Sequence, residues 1–216
     1  MNFLEIVKRA WVESGQSGDG PASVVGMSGH QQRFVNWVRN SWSDIQRSHE
    51  EWSFLKSSAD CTLTAGQETF QAAALGITDL KVPLNVFILI DGKWAELGMV
   101  VSFSASSDYS RLNKESGQPQ IAYFSNGILS FDTVPDAAYS LRIHYRKVPQ
   151  ELNANTDIPL CESLYHMTIV WGAVKRYAQS DEDQALFNAA NAEYRRCILE
   201  MLNALTPKIT FAPSAF

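Results

Sequence analysis

The sequence predicts an α+β protein in which helices from the N- and C-terminal parts form a helical bundle, with a mostly antiparallel β domain inserted between them and an extended C-terminal arm. Three observations carry this. Apolar residues recur at steps of three and four in the first quarter and again from residue 159 onward, the period of a helix with one buried face. Between these regions the period shortens to two, and Asp-Gly and Asn-Gly pairs separate the runs as they do in β-hairpins. The chain has 216 residues, 45% hydrophobic and 19% charged, which is enough apolar content for a sizeable core and too little charge for a disordered chain. The expected organisation is a helical bundle from 1–57 and 149–206, an inserted β domain at 58–148 and an arm at 207–216.

The first helix runs from Asn2 to Ser14, with Phe3, Leu4, Ile6, Val7, Ala10 and Trp11 at helical spacing, Asn2 as N-cap and Gly15 as stop. Residues 15–29 hold five glycines and a proline, so they read as an extended loop with Val24 and Val25 as a small apolar anchor, ordered by a partner element. A second helix is expected to open at Ser28, with Gln31 completing a capping box, and to run to about Trp52. Its stripe is Phe34, Val35, Trp37, Val38, Trp42 and Ile45, with Arg33, Arg39, Asp44, Arg47 and Glu51 between. Four tryptophans crowd this first quarter, more than a small helical pair needs. Trp is favoured at protein interfaces, so Trp37, Trp42 and Trp52 are candidate subunit-interface residues.

In the β domain, Ala59–Thr64 and Ala65–Phe70 read as a hairpin around Gly66. A stronger one joins Val86–Ile90 to Lys93–Leu97 through Asp91-Gly92, and a third joins Ile121–Phe124 to Ile128–Phe131 through Asn126-Gly127. Tyr139–Arg146 alternates strictly, which gives it one buried and one exposed face. Ser102–Gln120 is Ser-rich and reads either as a short helix or as a mobile loop.

From Pro159 to about Gln179, Leu160, Leu164, Met167, Ile169, Val170, Trp171, Val174 and Tyr177 predict a largely buried helix. Ser180 then caps a last helix whose first turn carries Asp181, Glu182 and Asp183, where the helix dipole favours negative charge. Its core stripe is Ala185, Leu186, Ala189, Ala192, Tyr194, Ile198, Met201, Leu202 and Leu205, and Pro207 stops it. The remaining tail, with Ile209, Phe211 and Phe216, is apolar but too short to fold alone. It lies on its own bundle or docks on another subunit or partner.

Little in the sequence points to chemistry. His30, His49, His144 and His166 are dispersed without ligand spacing, and Cys61, Cys161 and Cys197 form no CxxC pair, so no metal and no cofactor is expected and the thiols read as reduced. No nucleophile elbow, phosphate loop or dinucleotide motif is present. Cys161 and His166 are close in sequence, but a five-residue helical step points their side chains apart, so both read as structural. Arg33, Arg39 and Arg47 are interrupted by Asp44, Glu50 and Glu51, which favours ion pairs along the helix over a nucleic-acid stripe. A net charge of −5 argues against tight binding to phosphate backbones. The start, Met1-Asn2-Phe3-Leu4-Glu5, lacks the basic flank of a secretory signal, and no apolar run is long enough to span a membrane.

Phe3–Gly15, the Ser17-Gly18-Asp19-Gly20-Pro21 loop, Val35–Gln46 with Glu51–Leu55, Tyr139–Arg146 followed by Pro149 and Leu152, and Tyr165-His166 with Ile169–Ala173 form a set of segments. Together they resemble the head-to-tail adaptor (connector) proteins of tailed bacteriophages. The resemblance covers essentially the whole chain and rests on packing and interface residues. It implies a structural virion protein and no enzyme. Such a protein assembles in the host cytoplasm as a ring of typically twelve subunits under the portal protein, extends the DNA channel and connects capsid to tail at the head-tail junction. By the same resemblance, Lys208–Phe216 would be an arm engaging the portal or a neighbouring subunit through Ile209, Phe211 and Phe216, and the β domain would face a tail or nozzle protein. DNA would pass without specific binding. The alternative reading is a carbohydrate- or partner-binding tail-associated β module, with Trp94, Tyr109 and Tyr123 as stacking residues.

Overall fold

The computed structural model describes residues 1–101 and 115–207. Their contacts divide into two units: Met1–Leu55 with the described residues from Pro149 onward, and Lys56–Val148. The fold is α+β, with four helices and mostly antiparallel sheets among the described residues.

In the helical unit, α1 (Phe3–Glu13) begins as predicted. The Asn2 side chain accepts from the Glu5 N–H at 2.9 Å and the Glu5 carboxylate accepts from the Asn2 N–H at 2.9 Å, a complete capping box. The helix buries Phe3, Ile6, Val7, Ala10 and Trp11. By contrast, α2 (Gly29–Ser48) lacks its expected box: Ser28 stands at the N-cap, but its hydroxyl makes no capping bond. Gly29 enters the helix at φ +57°, a left-handed conformation that glycine adopts freely and that turns Ser28 away from the first-turn amides. The helix also ends earlier than expected. His49 is already extended, and Trp52 folds back so that its indole N–H donates to the Ile45 carbonyl at 2.8 Å, satisfying an acceptor that the helix end leaves free.

Helix α3 (His166–Ser180) starts later than the apolar run suggested. Residues 159–165 contain only a single 3₁₀ turn, Ser163–Tyr165. The Leu160 N–H is taken by the Gln150 side chain at 3.0 Å rather than by a helix, and Leu160 and Leu164, expected to be buried, are exposed. Helix α4 (Gln184–Leu205) is capped by Asp183, whose carboxylate accepts from the Leu186 N–H at 2.9 Å. Ser180, the expected cap, instead closes α3. Glu182, at φ +58°, makes the turn between them. The buried line of α4 is Ala190, Cys197 and Met201, with Leu186, Tyr194, Ile198, Leu202 and Leu205 half-covered; Ala185, Ala189 and Ala192 of the expected stripe face solvent.

Helix α3 packs on α1, α2 and α4, which is why it is buried nearly all round. Gly172 permits the close approach of α2, since a Cβ there would lie 2.1 Å from Ser41 Oγ, which itself donates to the Ile169 carbonyl at 2.9 Å. The irregular segment before α3 is held by side chains. Gln46 donates to the Gln150 carbonyl at 2.9 Å and accepts from its N–H at 2.7 Å, and Arg39 donates to the Leu152 carbonyl at 2.8 Å. The Asp157 carboxylate accepts from the N–H groups of Ala154 and Asn153 at 2.8 and 2.6 Å, which hold its pKa below the usual carboxylate range. Asn155 accepts from the Val24 N–H at 2.7 Å and Trp11 donates to the Ser17 carbonyl at 3.1 Å, so the Gly-rich loop is anchored within its own chain.

The β unit comprises β1 (Lys56–Thr62), β2 (Thr69–Gln71), β3 (Leu80–Ile90), β4 (Lys93–Glu96), β5 (Gly98–Val101), β6 (Ser116–Gly117), β7 (Ile121–Ser125), β8 (Ile128–Phe131), β9 (Val134–Pro135) and β10 (Ser140–Lys147). One sheet has the order β1-β10-β3-β4, a second β2-β8-β7-β5, and β6 pairs with β9. The hairpins at Asp91-Gly92 and Asn126-Gly127 form as predicted, all four residues having the positive φ of a type I′ turn. The hairpin expected around Gly66 does not form. Although Gly66 turns the chain at φ +76°, β1 pairs with β10 and β2 with β8, so the two runs enter different sheets. Strands β5 and β7 run parallel, as do β6 and β9, and nothing local announces either pairing. Strand β10 alternates as expected, burying Leu141, Ile143 and Tyr145 in a core that both sheets share with Val86, Ile88, Leu129 and Phe131.

Candidate partner interface

The catalytic candidates are placed for structure. Cys161 and His166 do not share a helix, and His166 Nε2 meets the Cys161 carbonyl oxygen at 3.2 Å, not its thiol. Burial pushes that thiol up to about 12, so it stays protonated at neutral pH and is no nucleophile. Asp183 caps α4 and Asp181 accepts from the Tyr177 hydroxyl at 3.0 Å. Among the described residues no group of three or more His, Cys, Asp and Glu is gathered as a metal site.

Arg33 and Arg39 of α2 reach tertiary partners, and Arg39 also donates to Asn36 one turn back at 3.1 Å. Arg33 donates to Ser180 Oγ at 3.1 Å and lies over the Trp37 ring, Arg39 serves the Leu152 carbonyl, and Asp44 pairs with Arg176 of α3.

The three candidate tryptophans separate. Trp42 stacks on Phe54 at 5.6 Å between centroids and Trp52 stacks on the same ring at 5.4 Å. With 1% and 0% exposure, both indoles are used inside the helical unit, which leaves neither any surface to offer a neighbouring chain. Trp37 is half-buried among Phe34, Tyr177 and His30, with centroids at 5.1, 5.8 and 6.2 Å, and is the one of the three with free surface. Ile209, Phe211 and Phe216 lie outside the described residues.

An apolar edge that periodicity assigned in part to a buried helix stands in the open. Ile158 is 62% and Leu164 75% exposed, with Leu160 between them in sequence. The signal that marks this edge is Pro159 and Glu162-Ser163 breaking the apolar run. In the β unit two of the three stacking candidates are described. Tyr123 is buried, Tyr109 lies outside the described residues, and Trp94 is exposed but has the Arg142 guanidinium 4.5 Å over its ring. Arg142 is in turn held by Asp60 through two bonds of 2.7 and 2.8 Å, which keep the Asp60 carboxyl below its usual range.

Apolar side chains of the helical unit therefore stand in the open at Ile158, Leu160 and Leu164. The model of the SU10 adaptor protein family matches residues 1–211. The chain belongs to the SU10 adaptor protein family. It is therefore a phage head-to-tail adaptor by family, with a structural role as a virion component. No curated protein matches the chain. No helix among its described residues is long and apolar enough to cross a membrane.

Proposed function

We propose that this SU10 adaptor assembles as a homo-oligomeric ring of about twelve subunits beneath the portal, extends the DNA channel and connects the capsid to a tail or nozzle protein. The observation that carries the reading is the family match over residues 1–211. The surface supports it. A closed ring uses head-to-tail contacts, so each subunit needs two different patches. The helical unit offers half-buried Trp37 on one stretch of chain and exposed Ile158, Leu160 and Leu164 on another. Lys208–Phe216 is the arm, with Ile209, Phe211 and Phe216 engaging the portal or the neighbouring subunit. The role involves no catalytic step and no cofactor, and assembly takes place in the host cytoplasm without a membrane. A net charge of −5 gives the ring little hold on phosphates, which suits a channel through which DNA moves without specific binding.

The test is imaging of the purified chain mixed with its portal. A ring seated on the portal is expected, and its absence at saturating protein overturns the reading. Deleting residues 208–216 should abolish attachment while leaving the circular dichroism spectrum unchanged; undiminished attachment removes the arm assignment.

A further inference from the structure

A cleft of about 240 Å³ opens between α2, α3 and α4. Its floor is Ser41 and Gly172, the contact where the missing Cβ lets α2 and α3 approach, and its walls carry Asp44, Lys175, Arg176 and Tyr194. Asp44 pairs with Arg176. Lys175 has no carboxylate partner among the described residues; its ammonium rests 4.3 Å from the centre of the Tyr194 ring.

That placement is unusual for lysine, which ordinarily carries its charge out to water on a flexible stem. Here the ammonium is half-buried beside two further cations, Arg176 and, from α4, Arg195. Burial first and then repulsion from these two hold Lys175 below the usual lysine range, and Asp44 only partly offsets them. The cleft thus keeps an excess of positive charge in a chain whose net charge is −5, and an incoming anion relieves that repulsion. Size narrows the anion. The cleft is smaller than the roughly 300–1,000 Å³ of small-molecule and cofactor sites, but it admits a carboxylate with its one or two methylenes.

We propose that this cleft receives an acidic side chain, Asp or Glu, presented by a second copy of the chain. The carboxylate accepts from Lys175 Nζ and from an Arg176 N–H not used by Asp44, and its methylenes lie against Tyr194. The choice of a second copy rests on the ring reading above, in which one patch of each subunit must receive a different patch of the next, and on charge: the surface that meets the cleft belongs to an acidic chain.

Two measurements on the full chain test this. In the first, N-acetyl-glutamate amide is titrated at constant ionic strength while the amide resonances of Gly172 and Tyr194 are followed by NMR, with inorganic phosphate as a parallel arm. Saturable shifts with the glutamate probe, weakened at least tenfold by Lys175→Met and unchanged by Lys93→Met on the β unit, are expected. No saturable shift, an equal response in Lys175→Met, or phosphate binding tenfold tighter than the carboxylate each overturns the proposal, the last in favour of a phosphate site. In the second, Lys175→Glu is mixed with the portal and imaged. Fewer closed rings than wild type are expected, and rings in undiminished number overturn the second-copy assignment. Should the wild-type chain form no ring, the ring reading fails on its own, while the probe titration still decides whether the cleft takes a carboxylate.

Discussion

Outside their helices and ladders the two units lean on side chains to different extents: the β unit has a clamp at Asp132, which accepts from the N–H groups of Gln120 and Ile121, while the helical unit has a longer clamped stretch. In the β unit, ladders pair backbone with backbone, and the two glycine turns close their hairpins through conformation alone. In the helical unit the stretch between the β unit and α3 has no ladder and only one 3₁₀ turn. Several of its carbonyls and N–H groups are met by the side chains of Gln46, Arg39, Gln150 and Asp157, and others by backbone, as where the Phe3 N–H donates to the Asp157 carbonyl at 2.7 Å. The cores differ in parallel: the helical unit stacks Trp42, Phe54 and Trp52, whereas the β unit fills with alternating aliphatic residues around Phe70 and Phe131. A ladder spreads its cohesion over many equivalent bonds, whereas a side-chain clamp concentrates it in one residue. Lesions at clamps should therefore cost more than lesions of similar size beside a ladder.

The largest effects test the cores. Trp52→Ala removes a ring from the stack and one of two side-chain donors to the Ile45 carbonyl, Ser48 Oγ being the other, and should cost about 3–5 kcal/mol. Phe131→Ala, in the β unit, removes a buried ring of similar standing and should cost about the same. Hydrogen exchange separates them. Trp52→Ala should raise exchange in α2 and in the segment after Pro149, and Phe131→Ala in β7, β8 and β10. If Trp52→Ala loosened the two units equally, the contrast between them would collapse.

A smaller lesion bears on the clamp itself. Gln46→Ala leaves both the N–H and the carbonyl of Gln150 without their partner, which should cost about 1–3 kcal/mol in thermal or denaturant unfolding. Its counterpart is Asp60→Asn in the β unit, which weakens an exposed pair beside an intact ladder; exposed pairs contribute little, so no measurable change in stability is expected. Equal losses at the two positions would mean that the irregular segment is held by something other than its side chains.

The same division explains what could be read from the sequence. The α+β class, the capped start of α1, the two glycine-turn hairpins and the alternation of β10 are written in residues a few positions apart. The pairing of β1 with β10, the parallel β5–β7 pair and the late start of α3 are not. Leu160 and Leu164 have the identity and spacing of helix residues, but the Leu160 N–H is claimed by Gln150, and periodicity carries no record of that. Tryptophan identity likewise does not say whether an indole is spent inside, as for Trp42 and Trp52, or left half-open, as for Trp37. The cleft was invisible for a related reason: Lys175 and Arg176 are adjacent in sequence, but Asp44 lies 132 positions from Arg176, so no local motif exists to find.

The finest test compares two helix starts of the helical unit, one held by a side chain and one set by backbone. At α1 the Asn2 side chain accepts the Glu5 N–H, so Asn2→Ala should cost ~1 kcal/mol. At α2 the sequence offered an equally good capping box, but the chain enters through left-handed Gly29, as the hairpins turn through glycine in the β unit, and the Ser28 hydroxyl stays idle. Ser28→Ala should therefore leave the denaturation midpoint unchanged. A loss at Ser28 matching that at Asn2 would show that the hydroxyl caps α2 in solution. It would also place this helix start among the side-chain clamps.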